Sequence, residues 1–202
     1  MIDIMYPVKD DQEDVMKVSR EQVALNRQKI LEEAGRLFRA RGFEAVTVAE
    51  VMKAAGLTHG GFYGHFASKD DLIAQTLTHA LLASAPGEID LPSFTEAYLS
   101  PDHCADLAGG CATAGLGAET IRQSPEARAA MTAGLRRQVE RFSRSAPGAT
   151  EEEKRQAGIG SWAAMVGAVI LARLSDDPKL SGEILEQTRA WIVRDAARVD
   201  AG

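Results

Sequence analysis

Cysteine is scarce in this sequence. Its 202 residues include only Cys104 and Cys111. Two thiols cannot make a disulfide framework, so a reducing compartment is expected and the cytoplasm is the expected location. No basic-then-apolar leader opens the chain, which begins Met1-Ile2-Asp3-Ile4-Met5-Tyr6-Pro7. The longest uncharged run, Ala157 to Ala172, falls short of the roughly 20 residues that a membrane span needs. Gly158, Gly160 and Gly167 dilute it further, so it reads as a buried helix and no membrane partner is expected. Alternating strand patterns, internal repeats, a phosphate loop and a His-Glu helix motif are all missing. His103, Cys104, Asp106 and Cys111 match no compact zinc spacing, so neither a metal nor a cofactor is expected.

What is present is charge, unevenly distributed. The net charge is −6. Residues 1–19 carry two Lys and five Asp/Glu, residues 20–85 eight Lys/Arg and seven Asp/Glu, and residues 86–202 thirteen and seventeen. The acid is concentrated outside the middle segment, so whole-chain charge neither excludes nor supports nucleic-acid binding there.

Helical periodicity dominates the rest. Residues 1–18, dense in Asp10, Asp11, Glu13 and Asp14, read as a disordered tail, with Met16 an alternative start. Ser19-Arg20-Glu21-Gln22 fits a capping box, followed by an apolar stripe of Ile30, Ala34, Leu37 and Phe38 that Gly42 ends. Thr47-Val48-Ala49-Glu50 is a second capping box, stapled by Val46 and Val51 and closed at Gly56. Thr58 is placed to cap a third helix, with Leu57 and Phe62 as its staple pair, and Ser68 to cap a fourth. Ala85-Pro86-Gly87 marks a loop, and further helices are expected at Ser93–Ser100, Cys111–Gln123, Glu126–Ser143, after Glu151-Glu152-Glu153, and after Asp176-Asp177-Pro178. Short helices joined by tight turns can bury a core only by crossing one another, as in a helix-turn-helix. Gly60 and Gly61 each cost about 1 kcal/mol against alanine in a helix, and suit a turn whose backbone approaches a partner closely.

The segment 47–69, TVAEVMKAAGLTHGGFYGHFASK, together with Phe38-Arg39-Ala40-Arg41-Gly42-Phe43, resembles the tetracycline-repressor (TetR-like) family of one-component regulators. The resemblance covers about residues 20–83 in detail, and beyond it only length and helical pattern agree. It implies an all-α fold: an N-terminal three-helix helix-turn-helix DNA-binding domain over 19–67, and a C-terminal helical ligand-binding and dimerisation domain over 68–202. It implies a repressor that binds double-stranded operator DNA as a homodimer and is released by a small-molecule inducer. Thr47 resembles the family's phosphate-binding cap, and Thr58, His59, Gly60 and Gly61 occupy the surface that faces base edges. Tyr63 resembles the tyrosine that reaches phosphate or base, and His65 and Lys69 resemble backbone contacts. Gly64 departs from the bulkier residue often found there. With three glycines on this surface, DNA shape and phosphate positioning are expected to carry much of the specificity. Arg27 and Lys29 are further phosphate neighbours to consider.

In the C-terminal half, Trp162, Met165, Val166, Val169 and Ile170, with Ile184, Leu185, Thr188, Trp191 and Ile192, suit a four-helix dimer interface. Pocket candidates are Phe94, Tyr98, His103, Met131, Phe142, Trp162 and Met165. Cys111, after two glycines at a helix N-terminus, is a candidate redox or electrophile sensor. A helical cysteine-dependent enzyme is the rival of another class, but His103 adjoins Cys104 in sequence with no third group to orient it.

Overall fold

The computed structural model describes residues 20–82 and 89–199, with side chains to 194. The proposed tail, the Ser19 capping box and the Ala85-Pro86-Gly87 loop lie outside the described residues. Those residues contain no strand. The helices are α1 (Arg20–Arg41), α2 (Val48–Ala54), a short 3-10 helix (His59–Gly64), α3 (Lys69–Leu82), α4 (Leu91–Tyr98), α5 (Pro101–Ala105), α6 (Ala112–Thr120), α7 (Pro125–Ser145), α8 (Glu151–Leu174) and α9 (Pro178–Val199).

Side chains fix most helix starts. The Thr47 hydroxyl accepts from the Glu50 N–H while the Glu50 carboxylate accepts from the Thr47 N–H, a closed capping box. Thr150 and Glu153 repeat it at α8. Asp90, Ser100 and Ser124 cap α4, α5 and α7, each with a proline in the first turn. Gly42 follows α1 at φ 81°, a left-handed turn that only glycine adopts without strain.

Two hydrophobic cores result. The first gathers Ile30 and Phe38 of α1, Phe43 and Val46, Val51 and Met52 of α2, Phe62 and Phe66, and Leu72, Ile73 and Leu77 of α3. Ala112, Leu116, Ala127 and Met131 of α6 and α7 dock into it. Each of its fully buried large side chains contributes about 1.5–3 kcal/mol. The second core joins Leu91, Tyr98, Leu99 and Cys104 to Phe142, Met165, Val169, Leu185 and Ile192. There α8 approaches α7 so closely that a Cβ on Gly158 would stand 2.7 Å from the Ser143 backbone nitrogen.

By length and a mean hydropathy of 1.6, α8 could cross a membrane. One face of it, with Ser161, Met165, Ala168, Val169 and Ala172, is buried against neighbouring helices, and it packs against both α7 and α9, while Ile159, Leu171 and Leu174 stay exposed.

Candidate functional site

Helix α2 and the 3-10 helix form the two arms of a helix-turn-helix, joined through Gly56 at φ 73°. The second arm is a six-residue 3-10 helix where a third α-helix is expected from the sequence. Gly60, Gly61 and Gly64 make up half of it and weaken α-helical propagation. Thr58 occupies the cap position, but its hydroxyl makes no capping hydrogen bond, so the backbone and the buried Phe62 anchor the turn. Thr58, His59, Gly60 and Gly61 all face solvent, and Tyr63 is 73% exposed with its ring edge-on to Phe62 at 5.2 Å. A Cβ at Gly60 or Gly64 would meet nothing within 4 Å. Nothing inside the protein requires these glycines.

The flanking residues are more constrained. The Thr47 hydroxyl and N–H are both taken by Glu50, whose carboxyl is held near pKa 2 by the Thr47 backbone N–H and then by Arg41, 2.8 Å away. A phosphate at Thr47 would have to compete with that carboxylate. Lys69 opens α3 half-exposed, where the Ser68 hydroxyl caps the Asp71 N–H. His65 is half-buried, with Nδ1 sealed from solvent and without a partner. Arg27 is a structural clamp: it donates to the His65 carbonyl and to Gln75, and its guanidinium lies 4.6 Å from the Phe66 ring centre. It braces the segment from His65 to Phe66 against α3. Lys29 remains exposed.

A cleft of about 840 Å³ opens between the two cores. Phe94, Tyr98, His103, Phe142 and Trp162 line it, together with Cys111. Met131 and Met165 do not: Met131 packs into the first core, and Met165 is fully buried in the second. The His103 ring bonds the Tyr98 carbonyl at 2.6 Å, so it serves first to hold the α4–α5 corner. Burial, and next the Cys111 thiol beside it, push the Tyr98 hydroxyl far above its ordinary pKa. Cys111 is half-buried at the N-cap of α6 and makes no side-chain cap bond. Cys104 is buried.

Periodicity in the sequence could not reveal how the cleft reaches the helix-turn-helix. Helix α6 borders the cleft at Ala112 and Thr113. At its other end, the Glu119 carboxylate accepts from the Phe43 N–H at 2.8 Å and packs against Gly42. Arg39 of α1 reaches back to the Ala108 carbonyl at 2.6 Å, and burial draws its pKa down while Asp106 opposes. Arg173 of α8 ties down the Cys104 carbonyl at 2.9 Å and the Asp106 carbonyl at 3.2 Å. These three ties span about 70 residues of sequence or more.

The interface side chains expected on α8 and α9 divide. Met165, Val169, Leu185 and Ile192 are spent inside the chain. Ile159, Leu171, Leu174, Leu180, Trp191 and Val193 are the apolar residues left exposed there, beside Gly160 and Gly167, which have open space around them.

This architecture defines an all-helical fold class with an N-terminal helix-turn-helix, and comparison with known proteins narrows it. Residues 30–76 match the family described as bacterial regulatory proteins, tetR family. The HTH-type transcriptional regulator AcrR of Shigella flexneri is 37% identical over 73 residues, 36% of this chain and 33% of that protein. The HTH-type transcriptional repressor KstR2 of Mycobacterium tuberculosis is 39% identical over 56 residues, 28% of each. The chain thus spans about a third or less of the length of these relatives. The reduced form of Escherichia coli NemR superposes over 83% of this chain and 94% of its own, with a TM-score of 0.66 at 24% identity. A TetR-family regulator from Legionella pneumophila superposes over 90% of this chain and 100% of its own, with a TM-score of 0.65 at 17% identity. Residues 30–76 therefore resemble the tetR-family helix-turn-helix, and the described chain is TetR-like in fold.

Proposed function

We propose that this chain is a transcriptional repressor of the cytoplasm that binds operator DNA as a homodimer and leaves it when a small molecule enters the cleft. The division of labour would follow the sequence boundaries, with 19–67 reading DNA and 68–202 sensing and dimerising. The observation that carries the reading is the double attachment of α6, which borders the cleft at one end and, through Glu119 at the other, bonds Phe43 in the turn between α1 and α2. A ligand that shifts α6 would reorient the helix-turn-helix, and only its differential affinity for the two states would drive release. The DNA surface would be Thr58, His59, Gly60, Gly61 and Tyr63, flanked by Thr47, His65 and Lys69. The open glycines allow close backbone approach to the groove. The exposed apolar residues of α8 and α9 would pair about a two-fold axis, setting the recognition segments about 34–36 Å apart on successive major grooves.

Sequencing genomic fragments retained by the purified protein tests this reading, and recovery of one near-palindromic site is expected. Retention of random fragments with no shared site would refute it. A second reading has one observation in its favour: Cys111 stands on the cleft wall at the cap of α6. If oxidation there drives release, wild type should leave the operator under mild oxidant and Cys111→Ser should not.

A further inference from the structure

Arg141 of α7 stands on the cleft wall with its guanidinium 5.4 Å from the Phe94 ring centre. Its Nε is sealed from solvent and has no hydrogen-bond partner, and no described carboxylate pairs with it. The acids of the same lining are engaged elsewhere: Glu33 pairs with Arg36 at 3.1 Å, and Glu32 accepts from Gln28 at 2.8 Å. A guanidinium cannot shed its charge, and a buried N–H without an acceptor is costly, so this wall calls for an anionic acceptor. The surface around it is aromatic. Phe94 stacks on Tyr98 at 5.7 Å and meets Phe142 edge-on at 5.4 Å, and Phe142 stacks on Trp162 at 6.3 Å. Those faces suit a flat apolar body.

We infer that the cleft takes a small aromatic anion whose carboxylate is received by Arg141 and whose ring lies against Phe94, Phe142 and Trp162. This rests on the cleft being the regulatory site proposed above, but it can be tested without DNA. Calorimetric titration of the full chain would use 2-naphthoate and its neutral isostere 2-naphthamide as probes. Naphthoate should bind about tenfold more tightly than the amide, because a charge-assisted bond replaces a neutral one. Arg141→Gln should erase that preference while amide affinity stays within about twofold, and Arg141→Lys should keep part of it as a point charge. Equal affinity of wild type for the two probes, or no binding of either, overturns the inference with no variant required. An Arg141→Gln protein that weakens both probes alike also overturns it. If naphthoate binds as expected but never releases operator, the anion site stands and the induced-repressor reading falls. If only neutral compounds bind and release operator, the reverse holds.

Discussion

The two cores differ in how completely they close. Around the helix-turn-helix, Phe38, Phe43, Phe62, Ile30, Met52 and Leu72 are each at most 1% exposed. In the other core, Phe142 and Met165 are equally buried, yet Phe94, Trp162 and Tyr98 face a cleft of about 840 Å³ and Arg141 Nε has no acceptor. A closed core holds a fixed surface toward a partner, and a cleft beside an open one leaves room for something else to complete the packing. The contrast also locates adaptability. Helix α6 belongs to both regions, sending Leu116 into the first core while Cys111 packs on the second.

The largest expected effect is at the closed end. If the proposed DNA surface is right, Tyr63→Ala with Lys69→Ala should lower operator affinity by about two orders of magnitude, combining the loss of an aromatic anchor with that of a phosphate contact. The thermal midpoint should be almost unchanged, since Tyr63 is exposed and Lys69 half-exposed. Lys69→Ala alone should reduce the log–log salt slope by about 1. A gel-shift titration over several salt concentrations checks both, and an unchanged slope would remove Lys69 from the interface.

Next comes Gly158→Ala, at the closest approach within the open core. Its new Cβ would meet the Ser143 and Phe142 backbone at 2.7–2.8 Å, and backbone cannot swing aside as a side-chain tip can. Overpacking of this kind costs about 1–3 kcal/mol. Thermal unfolding should show the loss, and a variant as stable as wild type would mean that α7 and α8 separate more readily than their packing implies.

The join between the regions is the third target. Glu119→Ala leaves the half-buried Phe43 N–H without its acceptor, at about 1–3 kcal/mol. If α6 transmits the signal, inducer should bind this variant yet release operator less completely than wild type. Paired measurement of ligand binding and operator release decides that.

How far the sequence revealed each region follows from the range of the interactions. Thr47–Glu50, Gly42, Gly56 and Ser68 act within four residues, so their patterns appear in the chain itself. The helix-turn-helix was therefore legible almost residue by residue, apart from the 3-10 character that three glycines impose. Arg27 on His65, Arg39 on Ala108, Glu119 on Phe43 and Arg173 on Cys104 join residues 38 to 76 positions apart, and no local period encodes them. For the same reason Met131 and Met165 could not be told from cleft residues: a helix stripe marks what is apolar, not which cavity it borders.

Gly60→Ala separates surface shape from stability. With nothing within 4 Å, the added methyl should leave the fold unharmed or steadier by up to about 1 kcal/mol. Operator affinity should nonetheless fall if, as proposed, the backbone at Gly60 meets the groove. Unchanged affinity would show that the glycines are not there for close approach.

The smallest effect concerns pH. Glu50 has its carboxyl lowered from an ordinary 4.5 to about 2, first by the Thr47 N–H and then by Arg41. A carboxylate depressed on folding contributes stability that is fully present above its unfolded pKa and is lost as pH falls through the folded value. For Glu50 that window runs from 4.5 down to about 2. Asp71, lowered chiefly by Gln75, and Asp90, lowered by Ser93, titrate in the same direction, so wild type alone cannot isolate Glu50. Comparison with Glu50→Gln does, because glutamine keeps the acceptor oxygen but cannot titrate. The difference in thermal midpoint between the two proteins should shrink steadily from pH 5 to pH 2.5. Because Glu50 lies at the solvent surface, its ion pair with Arg41 is screened, and 0.5 M salt should shrink that difference further. A difference that stays constant across the pH range would mean that neutral hydrogen bonding alone holds the start of α2.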